Sequence, residues 1–93
     1  MIGVLTMHLH LPTCLSLKEK RSRLKPLLHR LHREFNISAA EVDFQDAWQE
    51  AVIACALVSN DSAHAQAVLQ RIVNFTATNW PDMDILDHRI ECL

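Results

Sequence analysis

Three observations in this 93-residue chain predict an α+β fold with elements in the order β-α-β-β-α-β. A segment at each end alternates apolar and polar residues with the two-residue period of a strand. Two internal segments, 16–35 and 61–78, repeat their apolar positions every three or four residues, as a helix with one buried face does. Between those helical segments lies an uncharged run with β-branched members, Ala51 to Val58, bounded by Asn60 and Asp61.

In the first segment, residues 2–11, Leu5, Met7, Leu9 and Leu11 share one face, and Val4, Thr6, His8 and His10 share the other. Pro12 ends this strand. Ser16 and Glu19 have the spacing of a capping box, in which hydroxyl and carboxylate each satisfy a free backbone N–H, so the first helix starts there. Its apolar stripe is Leu17, Leu24, Leu28, Leu31 and Phe35, with Leu27 at the edge. Pro26 stands inside it, where a lost hydrogen bond costs on the order of 3 kcal/mol. On the helical wheel Pro26 lies opposite Leu17 and Phe35, on the solvent side, and burying the leucines recovers about 1.5 to 3 kcal/mol each. The sequence therefore predicts a bent but continuous helix.

Asn36 closes that helix, and "ISAAEV" followed by "DFQD" reads as a short strand and a turn. Residues 48–59 form the next strand. From Asp61 or Ser62 to about Thr78, the positions Ala65, Val68, Leu69, Ile72, Phe75 and Thr76 follow helical spacing. After "NWPD" a last strand places Leu86, Ile90 and Cys92 on one side and Asp87, Arg89 and Glu91 on the other, with His88 on the side of Leu86. At this length the order is that of a single ferredoxin-like domain, residues 1–93, with a four-stranded antiparallel sheet and two helices on one face. The other sheet face is then uncovered and receives Val4, Thr6, Trp48, Val52, Ala54, Ala56 and Val58. Such a patch predicts a second copy covering it.

Composition narrows the functional classes. Hydrophobic residues make up 49% and charged residues 22%, which excludes a disordered chain. Cys14, Cys55 and Cys92 are odd in number with no CxxC pair, which argues against a disulfide framework or zinc knuckle and favours a reducing cytoplasm. No leader pattern is present, and no apolar run approaches the roughly 20 residues that span a bilayer. Gly3 is the only glycine, so phosphate-cradling glycine loops are excluded. Left-handed turn positions fall instead to Asn36, Asn60, Asn79 and Asp43.

The pieces "LHLPTCLSLKEKR", "FNISAAEV", "QDAWQ" and "ALVSND", in this order and spacing, resemble the YlxP-like family of small, uncharacterised bacterial proteins. The likeness covers residues 3 to about 75 and loosens in the last strand. It implies a ferredoxin-like fold. The family's genes often neighbour those for translation initiation and ribosome maturation factors such as ribosome-binding factor A, which implies a role around RNA or the ribosome. No activity is established for the family, so no catalytic residue carries over, and Pro26 departs from its usual helix pattern.

Charge is segregated. Residues 17–35 hold seven of the nine Lys and Arg against Glu19 and Glu34, a sum of +5 in a chain of net charge −2, which leaves −7 elsewhere. On the wheel Lys18, Arg21, Lys25, His29, His32 and Arg33 occupy about a third of the circumference, and Arg23 and Arg30 widen the band. A basic helix face suits contact with phosphates, because its cations displace the counterions condensed on a polyanion. The plainer alternatives are a solvated helix and a face paired with acidic residues of another subunit. The central strands carry no mid-strand aromatic on which bases could stack, so any RNA contact is through shape and phosphate.

Other constellations are thinner. His8 and His10 share a strand face but lack a third metal ligand, and a half-covered sheet explains them. His29 and His32 more plainly add charge to a basic helix as pH falls than bind a metal. Glu41, Asp43, Asp46 and Glu50 crowd the second turn. Glu41 and Asp43 point the same way, but with no nucleophile or His nearby by sequence they do not make an acid–base pair; Asp46 is expected to cap the turn and Trp48 to pack on the sheet. Cys14, before a helix N-terminus, is open to a lowered thiol pKa but has no partner base. The sequence thus predicts a non-enzymatic binding protein without cofactor or metal, contacting RNA or the ribosome through its first helix. The alternative is a homo-oligomeric interaction module with no nucleic-acid role.

Overall fold

The computed structural model describes residues 1–93. Its elements are β1 (Ile2–His10), α1 (Leu17–Glu34), β2 (Ser38–Asp43), β3 (Glu50–Val58), α2 (Ser62–Asn79) and β4 (Asp84–Cys92). The strands form one sheet in the order β2-β3-β1-β4 with every neighbour antiparallel, the ferredoxin-like arrangement that the alternation predicts.

Register decides the core. Leu5 lies opposite Cys55, Met7 opposite Ile53 and Leu9 opposite Ala51. All six side chains are fully buried, with Leu24, Leu27 and Leu31 of α1 and Ala65, Leu69 and Ile72 of α2 in the same cluster. The single glycine is explained here. A methyl group on Gly3 would stand 3.1 Å from Leu69 Cδ1 and 3.3 Å from Ala65 Cβ, so α2 settles closely on β1 at that point.

Capping starts both helices. Ser16 Oγ accepts from the Glu19 N–H at 3.0 Å, and Glu19 Oε2 accepts from the Leu15 N–H at 2.9 Å, one residue before the cap. Asp61 Oδ1 accepts from Ala63 N–H at 3.0 Å to begin α2. As expected, α1 continues through Pro26, whose ring is exposed. Its apolar stripe is rotated from the expected one: Lys20, Leu24, Leu27 and Leu31 are buried, whereas Leu17, Leu28 and Phe35 are only half-buried.

Three local expectations fail for physical reasons. First, β4 carries a bulge where its register with β1 shifts between His8 and Leu9, so Leu9 faces Ile85 and Leu86 is left over. The extra residue inverts the alternation, turning Leu86 outward at 53% exposure and Ile85 toward the core. Second, a bulge between Glu41 and Asp43 sets Glu41 opposite Ile53 on the helix side and Asp43 opposite Val52 on the open side, so the two carboxylates do not share a face. Third, the left-handed residues are Thr13 (φ 63°) and Phe44 (φ 59°), not Asn36, Asn60, Asn79 or Asp43. Phe44 is held by its tertiary contacts, its ring stacked on His8 at 5.2 Å and its N–H on Asp43 Oδ1 at 2.8 Å. No helix is long and apolar enough to cross a membrane.

Candidate nucleic-acid interface

The seven cations of α1 separate into two groups once their partners are known. Lys20 is buried, 1% exposed, because its position falls on the inward stripe between Ser16 and Leu24. Its ammonium donates to the carbonyls of Phe44 at 2.6 Å and Ala47 at 2.8 Å and forms an ion pair with Glu41 Oε2 at 2.7 Å. Arg23 donates to Pro12 O and Asp82 O, both at 2.9 Å, and pairs with the Asp82 carboxylate at 3.2 Å. Arg30 lies over the rings of Phe75 at 5.0 Å and Trp80 at 5.6 Å, and its guanidinium approaches Glu34 at 3.8 Å. These three hold the first helix to the second turn, to the loop before β4 and to α2.

The other four, Lys18, Arg21, Lys25 and Arg33, are exposed and have no carboxylate within ion-pair distance. They are the four Lys and Arg of the six-residue face expected from the helical wheel. His29 is exposed beside them, and His32, also exposed, donates from Nε2 to the Ala39 carbonyl at 3.2 Å. Arg23 and Arg30 do not widen the band, because both are engaged toward the other flank.

Below this face, between α1 and β2, runs an open groove of about 380 Å³ lined by Arg21, Leu24, Lys25, Leu28, His29 and Glu41. Sequence reasoning missed Lys20 altogether and weighed Glu41 only as an acid–base candidate, not as the partner of a buried lysine. The available signals were a lysine seven residues before Leu27 on the apolar side and a carboxylate in the middle of a strand of small and apolar residues.

The open sheet face is as expected in its strands. Val4, Thr6, Val52, Ala54 and Ala56 are half-buried there, and Val58 is 83% exposed at the strand end. Trp48 lies in the turn before β3 and is 52% exposed, so it does not pack into the sheet. The turn is capped by Asp43 and closed by Ala47 N–H on Phe44 O at 3.0 Å; Asp46 takes no part. A shallow saddle of about 210 Å³ lies over Val4, Ala40, Val42, Ala54 and Ala56. His8 Nε2 is 3.4 Å from Glu50 Oε2, and His10 Nδ1 is 3.1 Å from the Gln49 carbonyl, so each is engaged with β3 or the residue before it.

The thiols are quiet. Cys14 is buried, and its pKa is raised first by burial and then by the Glu19 carboxylate, the opposite of the lowering that a helix N-terminus suggests. Burial pushes the Cys55 thiol up to about 12. Glu19, hydrogen-bonded first by the Cys14 thiol and then by the Leu15 N–H, is held below the usual carboxylate range.

Comparison with known proteins agrees with this architecture. A chain described as the de novo designed protein Foldit4 is similar in fold, with a TM-score of 0.63 at 13% identity over 100% of this chain and 99% of that one. The uncharacterized protein YlxP of Bacillus subtilis (strain 168) is 38% identical over 69 residues, 74% of each chain. The family model described as protein of unknown function (DUF503) matches residues 2–90. The chain belongs to this YlxP-like DUF503 family.

Proposed function

We propose that this chain is a non-enzymatic binding protein that contacts RNA, free or on the ribosome, through the outer flank of α1. The observation that carries the reading is the set of four unpaired cations, Lys18, Arg21, Lys25 and Arg33, on one side of one helix. An exposed cation with no internal partner loses little when it exchanges water for phosphate, and the released counterions supply the free energy. Four such contacts predict a log–log salt slope of about −3 on single strands, from a coefficient of roughly 0.7 per phosphate.

The triple variant Lys18→Glu, Lys25→Glu, Arg33→Glu tests it. All three side chains are exposed, so the fold is retained while the flank changes sign. Loss of co-sedimentation with ribosomes and of fluorescence anisotropy on labelled RNA is expected. Unchanged affinity refutes the reading.

A second reading, homo-oligomerisation through the open sheet face, rests on a different observation: Val58, Val42 and Phe44 stand 83%, 50% and 40% exposed around the small-residue saddle. Two such faces can pack about 10 Å apart, as in a sandwich. Light scattering at high concentration is the test, with Ala54→Glu expected to dissociate the assembly. This contact should respond little to salt, which separates it from phosphate binding.

A further inference from the structure

We infer that the groove between α1 and the β2 edge receives one unpaired nucleotide of a single-stranded RNA. The inference rests on the RNA reading above and names which nucleic acid the flank prefers.

The groove has two chemically different walls. The helix wall presents Arg21, Lys25 and His29, and Leu24 and Leu28 form its apolar floor. The sheet wall is Glu41. Its Oε2 is committed to Lys20 at 2.7 Å, while Oε1 accepts no hydrogen bond from the chain. A nucleotide has the matching polarity: an anionic phosphate, an apolar base face, and a base edge with donors and acceptors. At about 380 Å³ the groove is within the roughly 300 to 1,000 Å³ that small-ligand sites occupy.

The backbone adds a second recognition element. In an antiparallel ladder the backbone groups point in and out at alternate residues, and the Ala39 carbonyl is turned out toward His32, so Glu41, two residues on, has the same outward sense. His32 already occupies the Ala39 carbonyl at 3.2 Å, and the bulge after Glu41 ends the regular edge. The outward N–H and C=O of Glu41 thus stand at the end of the regular edge. An added peptide strand needs a run of such pairs, whereas the edge of one base needs a single one.

Charge orients the nucleotide. The phosphate lies toward Arg21, Lys25 and His29, and the base edge toward Glu41, whose carboxylate accepts from an exocyclic amino group. Cytosine, adenine and guanine have that group and uracil does not. In duplex RNA the amino group of cytosine or adenine keeps a free N–H but lies in the deep, narrow major groove, out of reach of side chains, so the protein's groove selects single strands.

The test is fluorescence anisotropy of the full chain with labelled oligo(C), oligo(U) and an RNA duplex of equal length at one salt concentration. Oligo(C) is expected to bind about five-fold or more tighter than either, the lower end of discrimination by one hydrogen-bonded base edge. Leu28→Ala, at a half-buried position, should remove most of that preference and leave duplex affinity within about two-fold. Equal affinity for all three probes overturns the groove and leaves the phosphate reading standing. No binding to any probe overturns both. Independently of any variant, oligo(C) should shift the Glu41 and Leu28 amides in NMR spectra of the unaltered chain. Shifts confined to the surroundings of Lys18 and Arg33 would refute the assignment.

Discussion

The ammonium of Lys20 and the carboxylate of Glu41 meet at 2.7 Å between α1 and β2, with the lysine 1% exposed. The same ammonium holds the Phe44 and Ala47 carbonyls, so one side chain joins the first helix, the edge strand and the second turn. An isolated buried cation is very costly, and only this full set of acceptors makes the position tolerable.

Lys20→Ala therefore strands Glu41 and two carbonyls together. We expect a loss of roughly 3 kcal/mol, the cost of breaking a buried pair from one side, read as a lower urea midpoint. Lys20→Met, which keeps the stem and its packing, should lose less. If Lys20→Ala unfolds at the parental midpoint, the pair contributes nothing.

Arg30 and Lys25 should behave as opposites, although both are cations of α1. Arg30→Ala removes the contacts with Phe75 and Trp80 and should cost about 1 kcal/mol of stability while leaving RNA affinity nearly unchanged. Lys25→Ala, exposed and unpaired, should do the reverse. Thermal melts and anisotropy on the two variants check this.

The three thiols should react in a fixed order. Cys92 is half-buried at the end of β4, whereas Cys14 and Cys55 are fully buried with raised pKa values, Cys55 at about 12. Alkylation of the native chain at mildly alkaline pH should modify Cys92 first, and the other two should follow only on unfolding, as peptide mass mapping will show.

Glu19 predicts part of the acid response. The fold holds it below the ordinary carboxylate range, through the Cys14 thiol first and the Leu15 N–H second, so the folded state binds its proton more weakly than the unfolded chain does. Its stabilising contribution is complete above the unfolded pKa and disappears as pH falls through the lowered folded value. Glu19→Gln should flatten the decline of the melting temperature between about pH 6 and pH 3, where carboxylates titrate.

Thr13 is a β-branched residue at φ 63°, and its hydroxyl donates to the Pro12 carbonyl at 2.6 Å. A left-handed conformation costs an L-residue roughly 1 to 2 kcal/mol, and Asn tolerates it better. Thr13→Asn should raise stability by about 0.5 to 1 kcal/mol in denaturant melts.

The layout of the fold was legible because periodicity reports which side of an element is buried. Leu5, Met7 and Leu9, and Ile53, Cys55 and Leu57, all lie inward as their alternation requires. Where the period breaks, the pattern misleads. Alternation alone puts Leu86 on the side of Ile90 because nothing in "DILDHRIEC" marks the inserted residue, and it puts Asp43 on Glu41's side for the same reason. The exposed basic flank was legible from the helical wheel. The engagement of Lys20, Arg23 and Arg30 was not, because it depends on carbonyls, two carboxylates and rings brought from 11 to 59 residues away in the chain.

The two bulges have a consequence for crowded solutions. They interrupt both border strands, β2 after Glu41 and β4 at Leu86, so neither rim offers a straight template on which sheets could add without limit. The chain is thereby steered away from open-ended addition through either rim.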